Sequence, residues 1–413
     1  MFRLDKFLLI SSCALFFQAV GTATGESSSL IDNLYDRYQV EAAGFMETRG
    51  GIRLQDDADE KDVSMGEVRL RLEMVRDFNQ VLFTFKGDLL ADGVTEEVVG
   101  EIRDLSLLTS PLDNMDIKLG REVLTWGTGD LIFINDMFPK DWQSFFIGRD
   151  DEYLKAPSNA VKVSMFYDAV DIDIVYTPLF GGSEFINGER LSYYSPMAGG
   201  IVGRGMTIDP EEPNRYFSDA EISGRLSKNV DGIELALYGY SGFWQEPEGF
   251  NPETSRAYYP RLNVWGGSIR TSLLGGIGNL EAGYYDSINN SDANNPFIRP
   301  SEYRFLAGFE RELARELTGG FQYYLEVIDG YDNYKETVVT EGKARDECRH
   351  MLTLRLTKLL MNQNLNLSLF VYYSPSDNDG YARPGFSYKL TDHWLIDGGF
   401  NLFWGNDDHT FWG

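Results

Sequence analysis

The chain has 413 residues, with 64 acidic against 37 basic side chains, a formal charge of −27, 14% aromatic residues and 42 glycines. An acidic excess of that size excludes a nucleic-acid binder, which needs a basic footprint to meet phosphate. Length alone allows two or three ordinary domains or one large closed sheet.

At the start, Arg3 and Lys6 precede an apolar run from Phe7 to Val20, and small residues follow at Gly21-Thr22-Ala23 and Ala23-Thr24-Gly25. That order is the grammar of a secretory signal peptide, expected to span residues 1–25 and to be removed. Cys13, after Ile10-Ser11-Ser12, loosely fits a lipid-attachment box, although the apolar run continues past it as ALFFQAV. After cleavage Cys348 is the lone thiol, so no intrachain disulfide and no zinc cluster is expected. An exported chain without disulfides suits a Gram-negative envelope. No later stretch of eighteen apolar residues predicts a membrane helix. Residues 27–38, SSSLIDNLYDRY, allow at most one helical turn, too little for a plug domain ahead of the first strand.

From there the sequence alternates with period two, in segments of the length that crosses a bilayer as a tilted strand. Strands are expected near 38–49, 63–76, 80–91, 98–108, 115–124, 160–167, 169–177, 218–227 and 231–241. They continue near 262–271, 279–288, 302–311, 316–326, 348–357, 365–373, 381–389 and 394–404. In EVRLRLEMVR, for instance, Val68, Leu70, Leu72 and Met74 share one face and Glu67, Arg69, Arg71 and Glu73 the other. A soluble sandwich strand reads the same way, so the connections decide. Short links (DFN, TSPLDN, DA, KNV, LLGGIG, ELAR, KLLMNQN, LTDH) alternate with longer polar ones at 50–62, 126–159, 178–217, 242–261, 289–301 and 327–347. Only 92–97 and 374–380 are short on the long side. Short turns at one end and long loops at the other mark an up-and-down barrel.

The fold class expected is therefore all-β: one transmembrane up-and-down antiparallel β-barrel over residues 26–413. Seventeen strands are visible, and single-chain bacterial barrels have an even number. Either one strand is miscounted, or the final one of about eighteen is missing after HTFWG, which reads as the opening of a descending strand.

One segment breaks the pattern. Residues 126–157, WGTGDLIFINDMFPKDWQSFFIGRDDEYLKAP, hold two tryptophans and four phenylalanines, then a mixed-charge run. With the strand before it, KLGREVLT, this segment resembles a widespread, little-characterised family of Gram-negative outer-membrane barrels near the alginate-export and phosphate-selective porins. The matching residues are Gly120, Arg121, Trp126, Gly127, Asn135, Pro139 and Asp141, within some sixty residues of local likeness. The resemblance implies a barrel whose long early loop folds back into the lumen; the other reading is an external cap touching lipopolysaccharide. Constriction-loop candidates are Trp126, Asp130, Phe133, Asp136, Trp142, Arg149, Asp150, Asp151, Glu152 and Lys155.

Alternation also nominates a lumen wall: Arg69, Arg71, Glu73, Lys118, Glu122, Asp171, Asp173, Arg225, Arg270, Arg304 and Arg355, with Lys86, Glu234, Glu281 and Glu310 beside them. An Arg or Lys facing lipid at mid-bilayer costs about 2–4 kcal/mol, so these point inward, as a selectivity surface or as mutually paired charges. Signs are mixed, without the unopposed cationic run of an anion-selective pore. The acids of DDADEKD (56–62) and DNDG (377–380) are candidate calcium ligands or simply solvated loops. His350, His393 and His409 are the only histidines, at strand ends or turns, and no G-x-S-x-G elbow is present, so no enzyme is expected. No resident cofactor is expected either.

The expected function is a porin-like channel for small hydrophilic solutes. The alternatives are a sheath around a periplasmic protein partner and a surface receptor or adhesin working through its long loops. Membrane lipid, lipopolysaccharide and a solute are the expected partners, with a homo-oligomer or periplasmic partner left open.

Overall fold

The structure, a computed structural model, describes residues 35, 37–337, 344–410 and 412, and the backbone of 10–21. The cleavage site expected after residue 21 and most of the segment 27–38 lie outside the described residues.

Among the described residues, eighteen long strands form one sheet. They are β1 (Ile10–Gly21), β2 (Glu41–Arg53), β3 (Val63–Asp77), β4 (Val81–Asp92), β5 (Glu97–Leu112) and β6 (Met115–Val123). Next come β7 (Pro157–Phe166), β8 (Asp171–Thr177), β9 (Glu221–Val230), β10 (Ile233–Phe243), β11 (Arg261–Leu273) and β12 (Gly276–Ser287). The last six are β13 (Glu302–Ala314), β14 (Leu317–Ile328), β15 (Cys348–Leu360), β16 (Leu365–Ser374), β17 (Asp379–Lys389) and β18 (Trp394–Trp404). Each pairs antiparallel with its neighbours in the chain, as in Gly44↔Leu72 between β2 and β3 and Gly224↔Ile174 between β9 and β8. The circle closes because β1 pairs with both β2 (Phe17↔Gly50) and β18 (Phe17↔Gly398).

All seventeen strands read from alternation are present, with ends displaced by a few residues. The clearest displacement is at β2, which runs on through Gly50–Arg53 instead of stopping at residue 49. Alternation persists there: Glu47 and Arg49 are buried while Met46 and Ile52 are exposed. The eighteenth strand is the apolar run Ile10–Gly21, paired between β2 and β18, so the stretch that the sequence marks for removal as a signal peptide stands in the wall of this structure. An even count is what lets first and last strands meet antiparallel. Residues 405–410 form no strand, and Trp412 is buried against Tyr372 and Tyr381, ring centroids 5.2 and 5.3 Å away.

The two faces of the wall differ as a membrane demands. On β3 the outward Val68, Leu70 and Leu72 are 44, 55 and 45% exposed, while the inward Arg69 and Arg71 are 1 and 2% exposed. Near the long-loop end, outward Trp265, Tyr284 and Tyr303 form a row across β11 to β13, with centroid spacings of 6.5 and 4.6 Å. Such aromatic girdles sit at the bilayer interface. The largest buried apolar cluster lies inside the barrel, where Ile132, Ile134, Phe145, Phe146 and Leu154 of the 124–156 link pack on wall residues such as Leu262, Tyr285, Leu306 and Tyr372.

Candidate functional site: the segment inside the barrel

The link between β6 and β7 has local structure that its sequence dictates. Asp141 caps a short helix, α1 (Trp142–Ile147), its carboxylate accepting from the Ser144 N–H at 2.7 Å. Gly148 ends the helix in the left-handed region, φ 97°, donating its N–H to Phe145 and Ser144 carbonyls. Together these are a short polar N-cap and a glycine C-cap around an apolar run. The rings then stack on one another: Trp142 lies parallel to Phe146 at 5.9 Å, and Phe145 meets Phe146 edge-on at 5.2 Å.

Four of the residues that carried the family resemblance, Trp126, Gly127, Asn135 and Asp141, help to fasten or cap the segment. Gly127, at φ 80°, lets the chain pass close to Glu281 of β12, where a side chain would meet the carboxylate. The N–H groups of Thr128 and Gly129 both donate to Glu281 Oε1. Asn135 donates its amide to Glu281 Oε2 at 3.0 Å. Asp136 accepts from Thr125 Oγ1 at 2.8 Å and pairs with the buried Lys140 at 3.1 Å. Burial pulls the Lys140 ammonium below its usual range, with Asp136 opposing. Trp126 packs edge-on against Phe138 at 5.0 Å, and the Arg225 guanidinium lies 5.7 Å from its ring.

From these anchors the segment reaches strands around the wall. Asp130 is clasped by Arg355 of β15 at 2.5 and 3.0 Å. Asp150 meets Arg49 of β2 at 2.7 Å, and Asp151 meets Arg383 of β17 at 3.1 Å. Glu152 pairs with Arg71 of β3, and Arg149 with Glu67 of β3 at 2.6 Å. Arg103 of β5 donates to the carbonyls of Glu152 and Lys155, and Asn401 of β18 to that of Phe146. The Lys155 ammonium turns back to Thr125 at 2.8 Å, and Lys140 lies over the Phe133 ring at 4.6 Å. Tyr153, 1% exposed, is enclosed by guanidiniums: Arg69 at 4.0, Arg103 at 4.8 and Arg71 at 5.1 Å from its centroid.

Most of the nominated wall charges fall into pairs. Arg69 and Arg71 share Asp88 of β4, with contacts of 2.7 and 2.6 Å, and Arg69 also reaches Glu47 at 3.0 Å. Glu73 takes Lys86 at 3.3 Å, and Lys118 bridges Asp104 and Glu122 at 3.2 and 3.0 Å. Asp173 holds Arg225 at 2.5 Å, while Asp171 is half-buried farther along the same face. Arg304 stacks on Tyr285 at 3.8 Å and bonds Glu302, which also takes Arg299. Arg270 is exposed and lines a small cavity with Glu310 and Arg355. Alternation could not show Tyr153 as part of this network, whereas Glu47, Arg49, Arg103 and Arg383 were within reach, since all four lie in segments read as strands.

Of the acidic loops, Glu60 faces Arg204 at 3.3 Å and Asp377 faces Arg349 at 2.7 Å. Among the described residues, no three His, Cys, Asp or Glu side chains gather as a metal site. His350 shares a 2.7 Å hydrogen bond with the Tyr323 hydroxyl.

No family model and no curated protein sequence matches the chain. Solved structures do align along nearly its whole length. OmpT, an outer membrane protein of Vibrio cholerae, is 8% identical over 95% of this chain and 98% of its own, with a TM-score of 0.41. OmpF of Salmonella typhi, solved with daunomycin, is 7% identical over 95 and 96%, TM-score 0.45. The anion-selective porin from Comamonas acidovorans is 11% identical over 95 and 100%, TM-score 0.40. Likenesses this distant leave the weight on the strand ladder and its two faces. With eighteen paired strands, an apolar outer face and a charged inner face, the chain is a transmembrane β-barrel of the outer-membrane type.

Proposed function

We propose that the barrel is a diffusion channel for small hydrophilic solutes and that residues 126–157 narrow its lumen. One observation carries the reading: the segment is bonded to walls on several sides yet leaves polar cavities beside it. One of about 540 Å³ lies against β4 to β6, and one of about 290 Å³ against β15 to β17. A barrel of this strand number is wide enough for water. A sheath for a protein partner would offer its inner wall to that partner, whereas this wall is bonded to its own chain. Lipid and lipopolysaccharide would meet the outward apolar band and its aromatic row.

Single-channel conductance in planar bilayers tests the reading, with the intact chain beside a variant lacking residues 128–152. A measurable current that rises on deletion is expected. Silence from both proteins would sink the channel and return attention to bound partners.

A further inference from the structure

We infer that Leu131 is the gate of the route through the barrel, an apolar side chain between an outer and an inner vestibule, held in place through the Asp130–Arg355 ion pair. The inference rests on the channel reading and deepens it. The outer cavity, about 230 Å³, lies toward the long loops, where Glu248 and Arg299 line it. The inner one, about 290 Å³, lies toward the short turns, lined there by Asn366 and Ser387. Leu131 alone lines both. A third cavity, about 80 Å³ and also toward the short turns, is lined by Asp130 and meets the inner one at Arg355. Any solute passing between the two vestibules by this route passes Leu131.

Its backbone points to the same place. Leu131 has φ 56°, and it is the one non-glycine residue of 124–156 in the left-handed region. A leucine there is strained, because its Cβ crowds the following carbonyl oxygen. Strain of this kind persists only where neighbours over-determine the conformation, and it concentrates at switches and functional sites. The neighbours here are specific. Asp130 N–H donates to Gln322 Oε1 at 2.8 Å, and Gln322 Nε2 donates back to the Asp130 carbonyl at 2.7 Å. The Tyr372 hydroxyl donates to the Leu131 carbonyl, and Arg355 grips the Asp130 carboxylate with two bonds. Three adjacent strands, β14 to β16, thus clamp two residues so that one apolar side chain stands between an outer cavity lined largely by aromatic rings and an inner one lined largely by polar groups. An apolar constriction in a wet pathway resists ions by excluding water.

The test is single-channel conductance of Leu131→Gly, and of Leu131→Cys in a Cys13→Ser, Cys348→Ser background treated with a sulfonated methanethiosulfonate. Glycine is at ease at this φ, so folding is retained, as heat-modifiable gel mobility would check. Leu131→Gly is expected to conduct about twofold more than the parent, and the reagent to cut the Leu131→Cys current by about half. Parental currents in both variants, with no reagent effect, would overturn the gate while a larger current from the 128–152 deletion keeps the channel. Silence from every protein, the deletion included, would overturn both.

Discussion

Asp88 accepts from two arginines at once, taking one bond from Arg69 and two from Arg71 at 2.6–2.7 Å, and its side chain is out of solvent. The two guanidiniums also face Glu47 and Glu152, so the cluster is held by geometry that no single pair supplies. Removing one partner of a buried pair leaves an uncompensated charge and costs about 3–5 kcal/mol. Asp88→Ala should therefore lower the barrel's unfolding free energy by about that much, read by urea titration in lipid vesicles. Glu73→Ala, at a half-exposed position beside Lys86, should shift it by under about 1 kcal/mol. Equal effects from both would mean the network is solvated rather than buried.

At the scale of the element, α1 depends on its caps more than on its six residues, too few to hold as a helix alone. Asp141→Ala removes the N-cap and should destabilise the segment by about 1 kcal/mol, raising amide exchange across residues 142–148 while strand exchange stays unchanged. A uniform rise across the barrel would contradict that. The helix was missed in the sequence because its apolar run is too short for a period to emerge, although Asp141, Ser144 and Gly148 spell out its ends. That the segment's aromatics pack on something was legible, since a solvated loop has no use for Phe145, Phe146 and Trp142 together, but an external cap fitted the sequence as well as an inward fold. The resemblance named Gly127, Asn135 and Asp141, but only the structure explains them, as anchors to Glu281 and as the helix cap.

At the scale of the molecule, strand alternation and the two classes of link revealed the barrel, because a wall between lipid and water imposes period two everywhere. Pairing across the lumen was not legible: Asp130 and Arg355 are 225 positions apart, and no local pattern joins them. Around the inner cavity Asp150, Asp151 and Asp397 outnumber Arg355 and Arg383, so potassium should pass more readily than chloride. The outer vestibule adds a titratable carboxyl, that of Glu246, which burial and then Glu248 push up to about 7, with Arg299 and Arg304 opposing. It is neutral below that value and charged above, so cation preference should grow between pH 6 and 8, read as reversal potential across a potassium chloride gradient. Glu246→Gln should flatten that rise; a variant with the parental pH profile would assign the titration elsewhere. For folding the sign is opposite, because a raised carboxyl pKa favours the native state at low pH and that contribution fades as pH climbs through 7.

Several of the tethers between segment and wall are ion pairs, and their carboxylates Asp130, Asp150, Asp151 and Glu152 are half-open to the aqueous interior. Dissolved salt screens such pairs within about 8 Å at physiological ionic strength and more sharply above it. The ions that carry current would then also loosen what obstructs them. Current should climb faster than the conductivity of the bathing solution, so that the resistance of this pore belongs jointly to the protein and to the water it stands in.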